Sequence, residues 1–118
     1  MILVAPLLAL AAPFVLWPIE LLLPYPYVIE ELVKGILVWL NPKFGSAVAI
    51  GLAFAFSETV LYIFNLNPYR LLATTALHVT TTLVIYSAVH KHKKLLIAGV
   101  ILASLIHFLY NLTVGVLL

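Results

Sequence analysis

Apolar residues along this chain fall into five stretches, separated by short breaks rich in proline, asparagine and lysine. The first, at about 2–23, carries Pro13 and Pro18 and has Glu20 near its end. No basic residue precedes it, so it reads as a retained, proline-kinked span and not as a secretory signal. Pro24 and Pro26 mark a turn, after which a second helix is predicted over 26–40 and closed by Asn41-Pro42. Its uninterrupted part, from Val28 to Leu40, is only about 20 Å long at 1.5 Å per residue, shorter than a hydrocarbon core of about 30 Å. Further helices are predicted over 44–64, 69–90 and 95–118, joined through Asn65–Pro68 and Lys91–Lys94. The expectation is an all-α integral membrane protein: one domain, 1–118, built as a bundle of about five transmembrane helices.

Composition supports this. The 118 residues are 65% hydrophobic and 8% charged, with a mean hydropathy of +1.23, far from the balance of a soluble domain. Five spans leave no length for one beside them. The absence of cysteine excludes disulfides and thiolate chemistry, and a net charge of +2 without a broad basic face argues against nucleic acid as a partner. Five helices in series put Met1, Lys43, Lys91, Lys93 and Lys94 on one side and the Pro24 turn and Arg70 on the other. By the positive-inside rule the lysine side is cytoplasmic, giving a cytoplasmic N-terminus and an extracytoplasmic C-terminus. Trp39, Phe44 and Tyr86 suit the inner interface, and Trp17, Tyr25, Tyr27, Tyr62 and Tyr69 the outer one.

Against this background the polar residues inside the apolar stretches stand out. They are Glu30-Glu31-x-x-Lys34, Phe54-x-x-x-Glu58, His78 and His107-x-x-x-Asn111. A charged group at mid-bilayer costs about 3 kcal/mol on insertion scales, so each needs a reason. Counted from the helix ends, all lie roughly 5 to 17 Å below the outer interface. Glu30 and Lys34 have the favourable i, i+4 order for an ion pair, with Glu31 about 100° around the helix and short of that partner. An interfacial glutamate pair with a snorkelling lysine is the structural alternative. Ala47, Gly51 and Ala55 form a small-residue stripe that leads to Glu58 and would turn it toward the bundle interior. Arg70, Thr74, His78 and Thr82 recur every fourth residue, marking a polar face that either bonds to another helix or lines a wet cavity. His107 and Asn111, with Ser104 nearby, can converge on one small target such as an oxyanion or a metal. His90 and His92 belong to a lysine-rich run that reads as a cytoplasmic anchor, and Asn111-Leu-Thr113, although it fits a glycosylation pattern, falls within a span.

These residues, in this order, resemble the PrsW family of intramembrane proteases, within the superfamily that includes the type II CAAX prenyl proteases and bacteriocin-processing proteins. The resemblance covers Glu30 to Asn111. It rests on Glu30-Glu31-x-x-Lys34-Gly35, on Gly51-Leu-Ala-Phe54-Ala-Phe-Ser-Glu58 with Tyr62 one turn on, on His78, and on His107-x-x-x-Asn111. Two departures are visible: Thr59 stands where family members often have Asn, and Glu58 stands where CAAX proteases have His, which places the chain on the PrsW side.

The resemblance implies an intramembrane endopeptidase that cleaves a membrane protein or peptide near the extracytoplasmic boundary. Glu30 would activate water, Glu31 and Lys34 would hold the geometry, Glu58 and His78 would complete the proton network, and His107 and Asn111 would donate to the oxyanion. Three alternatives stay open. One is a divalent-metal protease whose ligands come from Glu30, Glu58, His78 and His107. Another is a non-catalytic scaffold that binds membrane helices, and homo-oligomers of such a bundle are possible. The third is an ion carrier, for which the sequence shows no repeat of the transporter kind.

Overall fold

A computed structural model describes residues 4–61 and 68–117, with side chains through 114. The described residues form five α-helices and no strand: α1 Val4–Glu20, α2 Pro26–Leu40, α3 Phe44–Leu61, α4 Pro68–Lys91 and α5 Leu96–Leu117. Proline sets several boundaries. In α1, Pro13 and Pro18 lie inside the helix, where each removes a hydrogen bond. The helix closes at Glu20, short of the expected 23, because bonds from Leu22 to the Ile19 carbonyl and from Leu23 to the Glu20 carbonyl tighten the chain ahead of Pro24. Pro26 opens α2 at a position where no backbone N–H is required. Asn41-Pro42 ends it, and α4 likewise begins on a proline, Pro68.

The fifth helix starts at Leu96, one residue later than expected, because Lys93–Leu95 forms a single 3₁₀ turn. His92 caps that turn, its Nδ1 accepting the Lys94 backbone N–H at 3.1 Å. The expected continuation of α3 through 62–64, the Asn65–Pro68 break up to residue 67, and Tyr62 with it, lie outside the described residues.

Helix α3 packs between α1 and α4, α4 packs on α5, and α2 lies against α5, α4 and α1. Small residues permit the closest approaches. Ala5, Ala9 and Pro13 are the buried positions of α1, and Ala5 and Ala9 share a core with Ala47, Ile50, Ala53 and Phe54 of α3. Ser57, buried on α3, donates to the Leu10 carbonyl of α1 at 2.6 Å.

The molecule measures 37 × 27 × 26 Å, so its long axis is comparable to the roughly 30 Å core of a bilayer. Three helices, α3, α4 and α5, are long and apolar enough to cross one; α1 is apolar but shorter, at 17 residues. The distribution of side chains fits a membrane protein. Leu7, Leu22, Phe56, Leu72 and Leu109 are exposed, whereas Glu31, Lys34, Ser57, His78, Thr81 and Thr82 are fully enclosed. A water-soluble monomer rarely leaves so much large apolar surface uncovered.

Candidate functional site

The inner face of α2 carries Glu30, Glu31, Lys34, Leu37 and Val38. Its upper part meets α4 and α5, and there the polar residues collect. Lys34 is fully buried. Its ammonium donates to Glu31 Oε1 and to Thr81 Oγ1, each at 2.9 Å, and lies 5.2 Å from the centre of the Phe54 ring. The expected Glu30–Lys34 pair is therefore corrected: Lys34 pairs with Glu31, one turn away at i, i+3. Thr81 and His107 approach the Glu31 side of the helix and draw the ammonium there.

The small-residue stripe on α3 lets α4 come close. A Cβ at Gly51 would stand 2.8 Å from Val79 Cα and 2.9 Å from the His78 carbonyl oxygen. Helical side chains point back toward the N-terminus of their own helix, so Glu58 and His78, on antiparallel neighbours, reach toward each other. The Glu58 carboxylate bonds to His78 Nε2. Thr82 fixes the His78 backbone, its hydroxyl donating to the His78 carbonyl at 2.6 Å. Edge-on to His78, at 5.6 Å between ring centres, stands His107 of α5. His107 Nδ1 lies 2.9 Å from Glu31 Oε1, and its Nε2 lies 3.7 Å from Glu30 Oε2.

Beside these groups is a cavity of about 190 Å³. Glu20, Tyr27, Glu30, Glu58, Thr59, Arg70, Thr74, His107, Tyr110 and Asn111 line it. Glu30 is 6% exposed, and its Oε2 has no hydrogen-bond partner among the described residues. Glu20, at the end of α1, lines the same cavity as Glu30, and its Oε1 is buried with no hydrogen-bond partner among the described residues. All four acidic residues of the chain thus belong to one cluster.

Of the sequence-selected residues, Glu30, Glu31, Lys34, Glu58, His78 and His107 meet directly or through one neighbour. Asn111 borders the same cavity and is exposed. Arg70 and Thr74 line it too, whereas Thr82 supports it from behind. Ser104 is buried, its hydroxyl has no hydrogen-bond partner among the described residues, and it does not line the cavity. His90 stacks on Tyr86 at 5.3 Å, and Lys93 lies over Trp39 at 5.1 Å, an arrangement that suits the anchor reading of the lysine-rich run.

Four contributors were not singled out from the sequence: Glu20, Thr81, Tyr27 and Tyr110. Thr81 and Tyr110 each follow a chosen histidine by three residues, the other near-neighbour spacing on a helix face. Tyr110 accordingly bonds Thr74 across to α4, at 2.9 Å between hydroxyls.

The donor atoms of Glu30, Glu58 and His78 all lie within 4.8 Å of one another. Two carboxylate oxygens and one imidazole nitrogen suit a first-row divalent cation. Among the described residues, Glu30 Oε2 and His78 Nδ1 are buried without hydrogen-bond partners. Comparison of the chain with family models, with curated proteins and with solved structures gives no match.

Proposed function

We propose that this chain is an intramembrane peptidase that hydrolyses a peptide bond of a membrane protein, with Glu30 as the base that activates water. The supporting observation is Glu30 itself, which lines a cavity large enough for several waters and whose buried Oε2 has no hydrogen-bond partner among the described residues. Hydrolysis requires a base, a water, a donor for the oxyanion and a proton for the leaving amine. Glu30 takes a proton from water, whose oxygen attacks the carbonyl carbon. The Asn111 amide, at the cavity rim, is placed to donate to the developing oxyanion. Glu58 lines the same cavity and is held there by its bond to His78. On this reading the five helices cross the bilayer with the lysine-rich end cytoplasmic, and the polar site lies within the membrane in the outer half of the bundle.

Reconstituted with a single-span reporter substrate, Glu30→Gln is expected to lower cleavage to background while the protein stays folded. Cleavage at the wild-type rate by that variant would refute the proposal.

The three-donor cluster favours a second reading, a metal-dependent form of the same hydrolysis. Glu30, Glu58 and His78 would hold the cation, which would lower the pKa of a bound water and polarise the carbonyl. On this reading Zn²⁺ or Mn²⁺ raises the melting temperature of the purified protein and His78→Ala abolishes the rise. A chelator then stops cleavage. Chelator-insensitive cleavage by metal-free protein selects the first reading.

A further inference from the structure

Glu31 and Lys34 do not line the cavity, yet they are among the most deeply enclosed residues of the fold, each at 0% exposure. A single oxygen, Glu31 Oε1, serves two neighbours. It accepts from Lys34 Nζ at 2.9 Å and stands 2.9 Å from His107 Nδ1. An ammonium can only donate, and the carboxylate paired with it can only accept, so the proton in the Glu31–His107 bond sits on Nδ1. In a neutral imidazole the other nitrogen then carries a lone pair. That nitrogen, Nε2, is the one 3.7 Å from Glu30 Oε2, on a residue that borders the cavity. Thr81 secures the far end by accepting from Lys34. The His78 and Tyr27 rings, with centres 5.6 and 6.0 Å away, confine the imidazole.

We propose that Glu31 and Lys34 are a positioning pair that holds His107 as its Nδ1–H tautomer and turns Nε2 toward Glu30 as an acceptor. The family resemblance implied His107 and Asn111 together as oxyanion donors; this geometry assigns donation to Asn111 and makes His107 the carrier of the proton. What the carrier does rests on the peptidase reading. The proton that Glu30 takes from water passes to Nε2, and the imidazolium, stabilised by Glu31, gives it to the nitrogen of the departing amine as the C–N bond breaks. The hydroxyl of the water remains on the acyl carbon, and Glu30 and His107 end in their starting states. The same division of labour, a carboxylate that orients a histidine and steadies its charged form, operates in serine hydrolases.

The test combines a spectroscopic and a kinetic readout. Nitrogen NMR of imidazole-labelled protein is expected to show His107 protonated on Nδ1 and bare on Nε2. Replacing the pair together, Glu31→Met with Lys34→Met, leaves no orphaned charge, and exchanges of this kind are commonly neutral for folding. The double variant should lose the fixed tautomer, and its kcat should fall roughly 100-fold with KM unchanged. A proton found on Nε2 of the wild type overturns the proposal, whether or not the double variant folds; so does a folded double variant with the wild-type tautomer and kcat. The expected tautomer in a protein whose cleavage survives Glu30→Gln refutes the peptidase reading alone and leaves the positioning pair standing.

Discussion

Gly51→Ala tests whether the α3–α4 contact sets the site. The added methyl would stand 2.8 Å from Val79 Cα, 2.9 Å from the His78 carbonyl oxygen and 3.1 Å from the Val79 nitrogen. All three are backbone atoms of α4, so no change of rotamer makes room. Ordinary contact begins near 3.4 Å, and 3.4 less 2.8 leaves 0.6 Å by which the helices must part. Overpacking of this kind costs about 1–3 kcal/mol. Alanine recovers up to about 1 kcal/mol of helix propensity, so the net loss should reach about 2 kcal/mol. Gly45→Ala is the matched control, because nothing lies within 4 Å of its added methyl. That variant should gain a few tenths to about 1 kcal/mol from propensity alone. Equilibrium unfolding of both proteins in mixed micelles measures the difference. Cleavage should fall in Gly51→Ala as well, because parting the helices lengthens the Glu58–His78 bond. Equal stability of the two variants would refute the reasoning.

Two further predictions concern ties that hold the helices around the cavity. Lys34→Met leaves the Glu31 carboxylate buried without its cation, and removal of one member of such a pair costs about 3–5 kcal/mol; unfolding measurements that find less than about 1 kcal/mol would show the pair to be dispensable. Ser57→Ala removes the 2.6 Å bond to the Leu10 carbonyl, with an expected loss of about 0.5–1.5 kcal/mol and faster proteolysis within α1, whereas unchanged proteolysis of α1 would show that apolar packing alone holds it.

Much of the fold was legible because proline and lysine punctuate a continuous apolar text. Pro26 and Asn41-Pro42 placed α2 correctly, while the end of α1 was missed by three residues because a 3₁₀ closure has no apolar signature. The cluster was legible for a different reason: ionisable residues are rare in this chain, so depth along each helix nearly determines who meets whom. Partner choice was not. Glu30 and Glu31 both lie within reach of Lys34 along the helix, and the selection came from Thr81 and His107 on two other helices. Glu20 was overlooked because its place at the cavity depends on the course of a helix that two prolines redirect.

The gathering of Glu20, Glu30 and Glu58 around one cavity, with Glu31 fully buried beside it, has a practical consequence. A carbodiimide-coupled amine has no aspartate or glutamate to label elsewhere on this chain, and with no cysteine present, an introduced thiol is the only one a maleimide can find. Labelling mapped to the glutamates, apart from the terminal carboxyl, therefore reads the opening of this cavity, while a thiol probe on any chosen helix reports independently on the surroundings. The protein thus comes with two orthogonal chemical handles, and one of them is already confined to its interior.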